Sequence, residues 1–114
     1  MRIVIDATSL LLRSAGIKSY TYYWLQALQE THRGHVFTGF PFLSAREPLA
    51  HDRSILPPVP TWTRLAALHA TNSLPGLLDT FLQGAQIVHT SNQIHRRPKR
   101  ARCTTTIHDM TVWK

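Results

Sequence analysis

Asp6, the pair Ser91-Asn92 and the pair His108-Asp109 each follow a short stretch of strand-forming residues, and they are the first candidates for chemistry. A histidine at the carboxyl end of a strand can donate a hydrogen bond to a ligand hydroxyl or stabilise charge that develops during a reaction. Asp109 either orients that ring or caps a helix beginning near Met110. A second group lies in the loop Ser14-Ala15-Gly16-Ile17-Lys18-Ser19-Tyr20, which follows a strand and opens a helix. Free amides at a helix N-terminus attract anions, glycine lets a phosphate approach the backbone, and Lys18 adds positive charge. Gly16 could equally do no more than turn the chain into the helix. The three-glycine dinucleotide fingerprint and the Walker loop are both absent.

The remaining histidines (His32, His35, His51, His69, His89 and His95) show no zinc-ligand spacing, and no metal is expected. His89 falls inside a strand and reads as a hydrogen-bonded core residue. Cys103, the single cysteine, excludes an internal disulfide and reads as a packing residue just before the last strand. Five of the thirteen Lys and Arg residues fall between Arg96 and Arg102. That stretch is either a solvated loop or a binder of anions: nucleic acid, anionic lipid or a phosphorylated ligand. It lacks the interleaved aromatics used to stack single-stranded bases. Tyr20 and Trp24 are assigned to a helical core face.

The elements that must position these residues can be read from periodicity. Ile3–Ile5 is a strand ending at Asp6. A helix begins at Gly16, with Ile17, Tyr20, Trp24 and Leu28 on one face, and stops by Gly34. Val36-Phe37-Thr38 is a second strand, and 40–60 is an irregular connection with a short strand near Ser54-Ile55-Leu56. Thr61 caps a helix through Thr71, a short helix restarts at Ser73 and Pro75 and runs to Leu82, and Gly84 ends it. Gln86–Thr90 and Thr104–Ile107 are the last two strands. Alternating strands and helices predict an α/β protein with a mostly parallel, Rossmann-like sheet flanked by helices. In such sheets ligands gather at the strands' carboxyl ends, where Asp6, Ser91, Asn92, His108 and Asp109 converge.

At 114 residues the chain is one small domain, and 43% hydrophobic content is ordinary for a globular protein. No apolar run is long enough to span a bilayer, and the opening residues do not resemble a signal peptide, so a cytoplasmic protein is expected. The formal charge of +7 favours anionic partners.

Four segments occur in a telling order: Met1-Arg2-Ile3-Val4-Ile5-Asp6-Ala7, Gly16-Ile17-Lys18-Ser19-Tyr20, Ile87-Val88-His89-Thr90-Ser91-Asn92 and Thr106-Ile107-His108-Asp109-Met110-Thr111. Their order and spacing resemble the N-terminal domain of glycosyltransferase family 4, retaining enzymes of the GT-B fold, over nearly the whole chain. The resemblance implies an acceptor-side domain over 1–114. A donor-binding domain carrying paired glutamates would lie outside this chain, which alone would be inactive. It implies that Gly16, Ile17 and Lys18 approach the donor's diphosphate or sugar, that His108 touches the donor sugar at the reacting centre, and that Asp6, Ser91 and Asn92 meet the acceptor. The family often carries two glycines and an arginine around the turn, where this chain has Ala15, Gly16 and Ser19. Expected partners are a nucleotide-sugar donor and a hydroxyl acceptor (glycan or lipid-linked), as substrates and not as cofactors. Self-association, the absent domain and an anionic membrane surface are further partners to consider. The alternatives are a stand-alone basic nucleic-acid-binding module and a Rossmann-like oxidoreductase. The missing fingerprint argues against the latter.

Overall fold

The computed structural model describes residues 1–11, 16–41, 58–82, 84–91, 94 and 96–107. Four strands form one sheet: β1 (Arg2–Asp6), β2 (Val36–Phe40), β3 (Ile87–Thr90) and β4 (Arg102–Thr105). Their order is β2-β1-β3-β4 and every pair is parallel. Helices α1 (Gly16–Thr31), α2 (Pro58–Ser73) and α3 (Leu77–Phe81) supply the crossovers, and a 3-10 turn (Thr8–Leu11) follows β1. The protein has an α/β Rossmann-like fold.

The alternation of β1 sends its side chains to two cores. Ile3 and Ile5 face α1, where Leu25 and Phe37 are buried and Trp24 and Leu28 pack against them. Val4 faces the other way, with Phe40, Val88, Leu78 and Leu82, and Leu68 and Phe81 complete that layer. Fully burying a residue such as Leu25 contributes about 2 kcal/mol. The placement of the helices follows from topology. The chain moves from β1 outward to β2, then back across β1 to β3. Right-handed crossovers that reverse direction must change face, so α1 covers one side and α2 with α3 the other.

β3 and β4 are also joined in parallel, yet no helix links them among the described residues. The basic stretch makes that crossover itself. Ile94 is buried in the α3-side core, Ala101 packs against it and Pro98 is buried. Arg96 donates from Nε to the Asn72 carbonyl (2.5 Å) and from a terminal guanidinium nitrogen to the Ser73 carbonyl (3.1 Å). It thereby satisfies carbonyls that the end of α2 leaves without helical partners. The Lys99 amide donates to Asp79 Oδ1 at 2.8 Å.

Most expected elements are present, with five corrections. Thr61 lies inside α2 and does not cap it, because the helix starts at Pro58. Two prolines fit the first turn, where backbone N–H groups have no helical acceptor in any case. On α1 the buried positions are Lys18, Thr21 and Leu25, so the inner face is rotated from the expected one, and Tyr20 is exposed. β4 begins two residues earlier than expected and is an edge strand: Ile87 pairs with Arg102 and Thr90 with Thr105, leaving Ile107 beyond the strand and 61% exposed. All four β4 residues are exposed, so Cys103 lies within the strand and is solvent-accessible instead of packed. The strand near Ser54-Ile55-Leu56 lies outside the described residues. α2 continues through Ser73, past the expected end at Thr71, because the Leu74 amide still donates to the Ala70 carbonyl, and the short helix starts at Leu77 instead of at Ser73 and Pro75. The stop at Gly84 falls where expected, with φ of 79° that glycine adopts without strain.

Candidate functional site at the strand carboxyl ends

Because the chain leaves β1 toward β2 and later crosses to β3 on its other side, the boundary between β1 and β3 is the point where strand order reverses. In open α/β sheets that point leaves a crevice outside the carboxyl ends, free of an overlying connection. Asp6 ends β1 there and Ser91 follows β3. Register brings them close: Ile5 is opposite His89, so Asp6 reaches the rim beside Thr90, and Ser91 follows one residue further on.

The Asp6 side chain is 2% exposed and accepts four hydrogen bonds. Oδ1 accepts from the Thr8 amide at 3.1 Å and from the Thr8 hydroxyl. Oδ2 accepts from the Ser91 hydroxyl at 2.8 Å and from the Ser91 amide at 3.3 Å. A carboxylate has about four lone-pair sites, so the protein occupies all of them. Asp6 therefore braces the rim, fixing the turn after β1 against the loop after β3. Direct contact with a ligand would require exchanging one of these bonds. The Ser91 hydroxyl spends its proton on Asp6 and keeps lone pairs that can accept from a ligand hydroxyl. Thr8 is the residue that the sequence reading missed. The spacing Asp6-Ala7-Thr8 is the signal, since an aspartate commonly accepts from the backbone two residues on.

The first turn of α1 borders the same rim. Among the described residues, no atom lies within 4 Å of the point where a side chain would start at Gly16. Ile17 is half-buried, and Lys18 is 5% exposed. One turn further along, Thr21 accepts from the Ser9 hydroxyl at 3.1 Å, which ties α1 to the 3-10 turn. Lys18 shares that inward face, and no hydrogen bond joins its ammonium to the described residues. Beside the end of β2, Phe40, Pro41, Thr63, Arg64, Ala67 and Phe81 line a cleft of about 260 Å³.

His89 is half-buried and hydrogen-bonded, as its place inside a strand suggests. Its Nδ1 lies 2.8 Å from the Thr104 hydroxyl and its Nε2 3.0 Å from the Thr106 hydroxyl. The edge of this ring pair is closed by Trp24, whose centroid is 4.8 Å from that of His89. Tyr20 stacks on Trp24 at 5.8 Å, extending the row toward the rim.

The structure thus unites Asp6 and Ser91 and sets Gly16, Ile17 and Lys18 at the same end of the sheet. Asn92, His108 and Asp109 lie outside the described residues. With β4 ending at Thr105, His108 and Asp109 are separated from that strand by Thr106 and Ile107. Among the described residues no group of His, Cys, Asp or Glu is placed to hold a metal ion, and no helix is long and apolar enough to cross a membrane. No family model matches this chain, and neither the curated proteins nor the solved structures contain a significant match to it.

Proposed function

We propose that this chain forms the acceptor-side domain of a retaining glycosyltransferase that moves a sugar from a nucleotide-sugar to a hydroxyl acceptor. The observation that carries the reading is the braced rim at the β1–β3 boundary. There the Asp6–Ser91 bridge fixes two strand ends, at the end of the sheet where α1 begins at Gly16. The four ordered segments supply the reaction class, since a Rossmann-like sheet alone serves many chemistries. In this reading Ser91 and Asn92 meet the acceptor hydroxyl, and Asp6 positions Ser91. Gly16, Ile17 and Lys18 face the donor's phosphates or sugar, where amides at a helix start and a lysine would stabilise the leaving diphosphate. His108 reaches the donor sugar near the bond that breaks. The paired glutamates and the rest of the donor site belong to a second domain outside this chain.

The experiment is transfer from radiolabelled nucleotide-sugars by a protein joining this sequence to a donor-binding domain, with and without His108→Ala. The reading expects a strong loss of turnover in the variant while acceptor binding changes little. Unchanged turnover removes His108 from the site.

A further inference from the structure

At the opposite end of the sheet the strand starts form a row. The Val36 amide donates to the Met1 carbonyl, the Gln86 amide to the Arg2 carbonyl, and the Arg102 amide to the Gln86 carbonyl, at 2.9 to 3.0 Å. Four strands at about 4.8 Å spacing make this row about 14 Å wide. Next to it the β3–β4 crossover sets its cations around Gly76. Lys99 and Arg100 line a depression of about 330 Å³ with Gly76, Asp79 and Thr80, and Arg96 and Arg97 line its neighbour.

Charge on this end is almost all of one sign. Arg97, Lys99, Arg100 and Arg102 are exposed. Asp79 is tied to the Lys99 amide, and Glu30 in the last turn of α1 is the other described carboxylate here. Three large apolar side chains share the same end: Leu74 at 56% exposed, Met1 at 54% and Val36 at 53%. Leu74 directly follows Ser73, whose carbonyl Arg96 holds, so an apolar side chain projects beside the basic cluster.

From this arrangement we infer that the amino-terminal end of the sheet docks on an anionic lipid bilayer. A broad basic surface with isolated apolar side chains suits a charged headgroup layer that those side chains can enter. A nucleic acid is the less fitting polyanion. Among the described residues no exposed Tyr, Trp or Phe side chain lies at this end to stack on bases (Tyr20, Tyr23 and Trp62 lie elsewhere), the exposed His32 ring is already stacked with His35, and Arg96 is committed to α2. The inference stands on charge and exposure alone and does not depend on the transferase reading.

The test is co-sedimentation of the full chain with vesicles of phosphatidylcholine mixed with phosphatidylglycerol, against phosphatidylcholine alone, with an RNA oligonucleotide titrated in parallel. Binding is expected to the mixed vesicles only, and to fade as salt rises from about 0.1 M to about 1 M, where the screening length falls from about 10 Å to about 3 Å. The triple variant Arg97→Gln, Lys99→Gln, Arg100→Gln removes three exposed cations whose side chains make no hydrogen bond among the described residues. At about fivefold per cation it should weaken vesicle binding on the order of a hundredfold. Leu74→Ser should reduce the binding that persists at high salt. Equal binding to both vesicle types, unchanged binding by the triple variant, or binding of RNA without vesicles would each overturn the inference.

Discussion

The Asp6 carboxylate and the Ser91 hydroxyl, 85 residues apart in the chain, meet at 2.8 Å across the boundary between β1 and β3. Asp6 is buried with four donors around it. Removing it strands the buried Thr8 donors and leaves the half-buried Ser91 donors without their acceptor. Asp6→Ala should therefore destabilise the fold by about 2–4 kcal/mol, read from the urea midpoint. Ser91→Ala removes one of the four bonds and should cost about 1 kcal/mol. In a double-mutant cycle the two changes should be clearly less than additive, and additivity would mean that the bridge carries no energy.

Lys18 makes a different prediction. Its side chain is 5% exposed on the inner face of α1. Lys18→Met keeps the aliphatic volume and removes the charge, so the denaturation midpoint should hold or rise slightly, within about 1 kcal/mol. Affinity for a nucleotide-sugar should fall in the same variant. A large loss of stability would show that Lys18 serves the fold.

Leu25 is fully buried between Ile5 and Phe37. Leu25→Ala leaves a cavity at the α1–sheet contact and should cost about 2–5 kcal/mol, measured by thermal or urea unfolding. A cost below about 1 kcal/mol would mean that α1 is not seated on the sheet as described.

Cys103 is exposed on the edge strand β4. A thiol reagent should label one equivalent in the native protein at nearly the rate seen in denaturant. Strong protection would place a covering element over β4.

Much of this architecture was legible because local signals agreed with the fold. Ile3–Ile5 ending in Asp6, the helix opening at Gly16 and the stop at Gly84 each declare themselves within a few residues. What escaped depends on neighbours that no local pattern names. Thr104-Thr105-Thr106-Ile107 looks like a buried strand, yet pairing with β3 fixes the register at Arg102 and leaves β4 at the edge. On the inner face of α1, Trp24 and Leu28 pack on the core as expected, and Tyr20 does not, for a related reason. The helix's core contacts are set by Ile5 and Phe37, which select Leu25 over Tyr20. At the rim, Asp6 and Ser91 were legible as strand ends, but their bond and the second grip of Asp6 on Thr8 emerge only from the order of the strands.

Gly16, Ile17, Lys18 and Ser91 give the central claim its sharpest test, through amide resonances of the isotopically labelled chain during titration with UDP- and GDP-sugars. The account predicts shifts concentrated at these four residues, weak in affinity because the donor domain is absent, and reduced by Lys18→Met. No shift at millimolar ligand, or shifts confined to Lys99, Arg100 and Arg102, would contradict it, since the ligand would then be ignoring the β1–β3 rim or responding only to charge at the other end of the sheet.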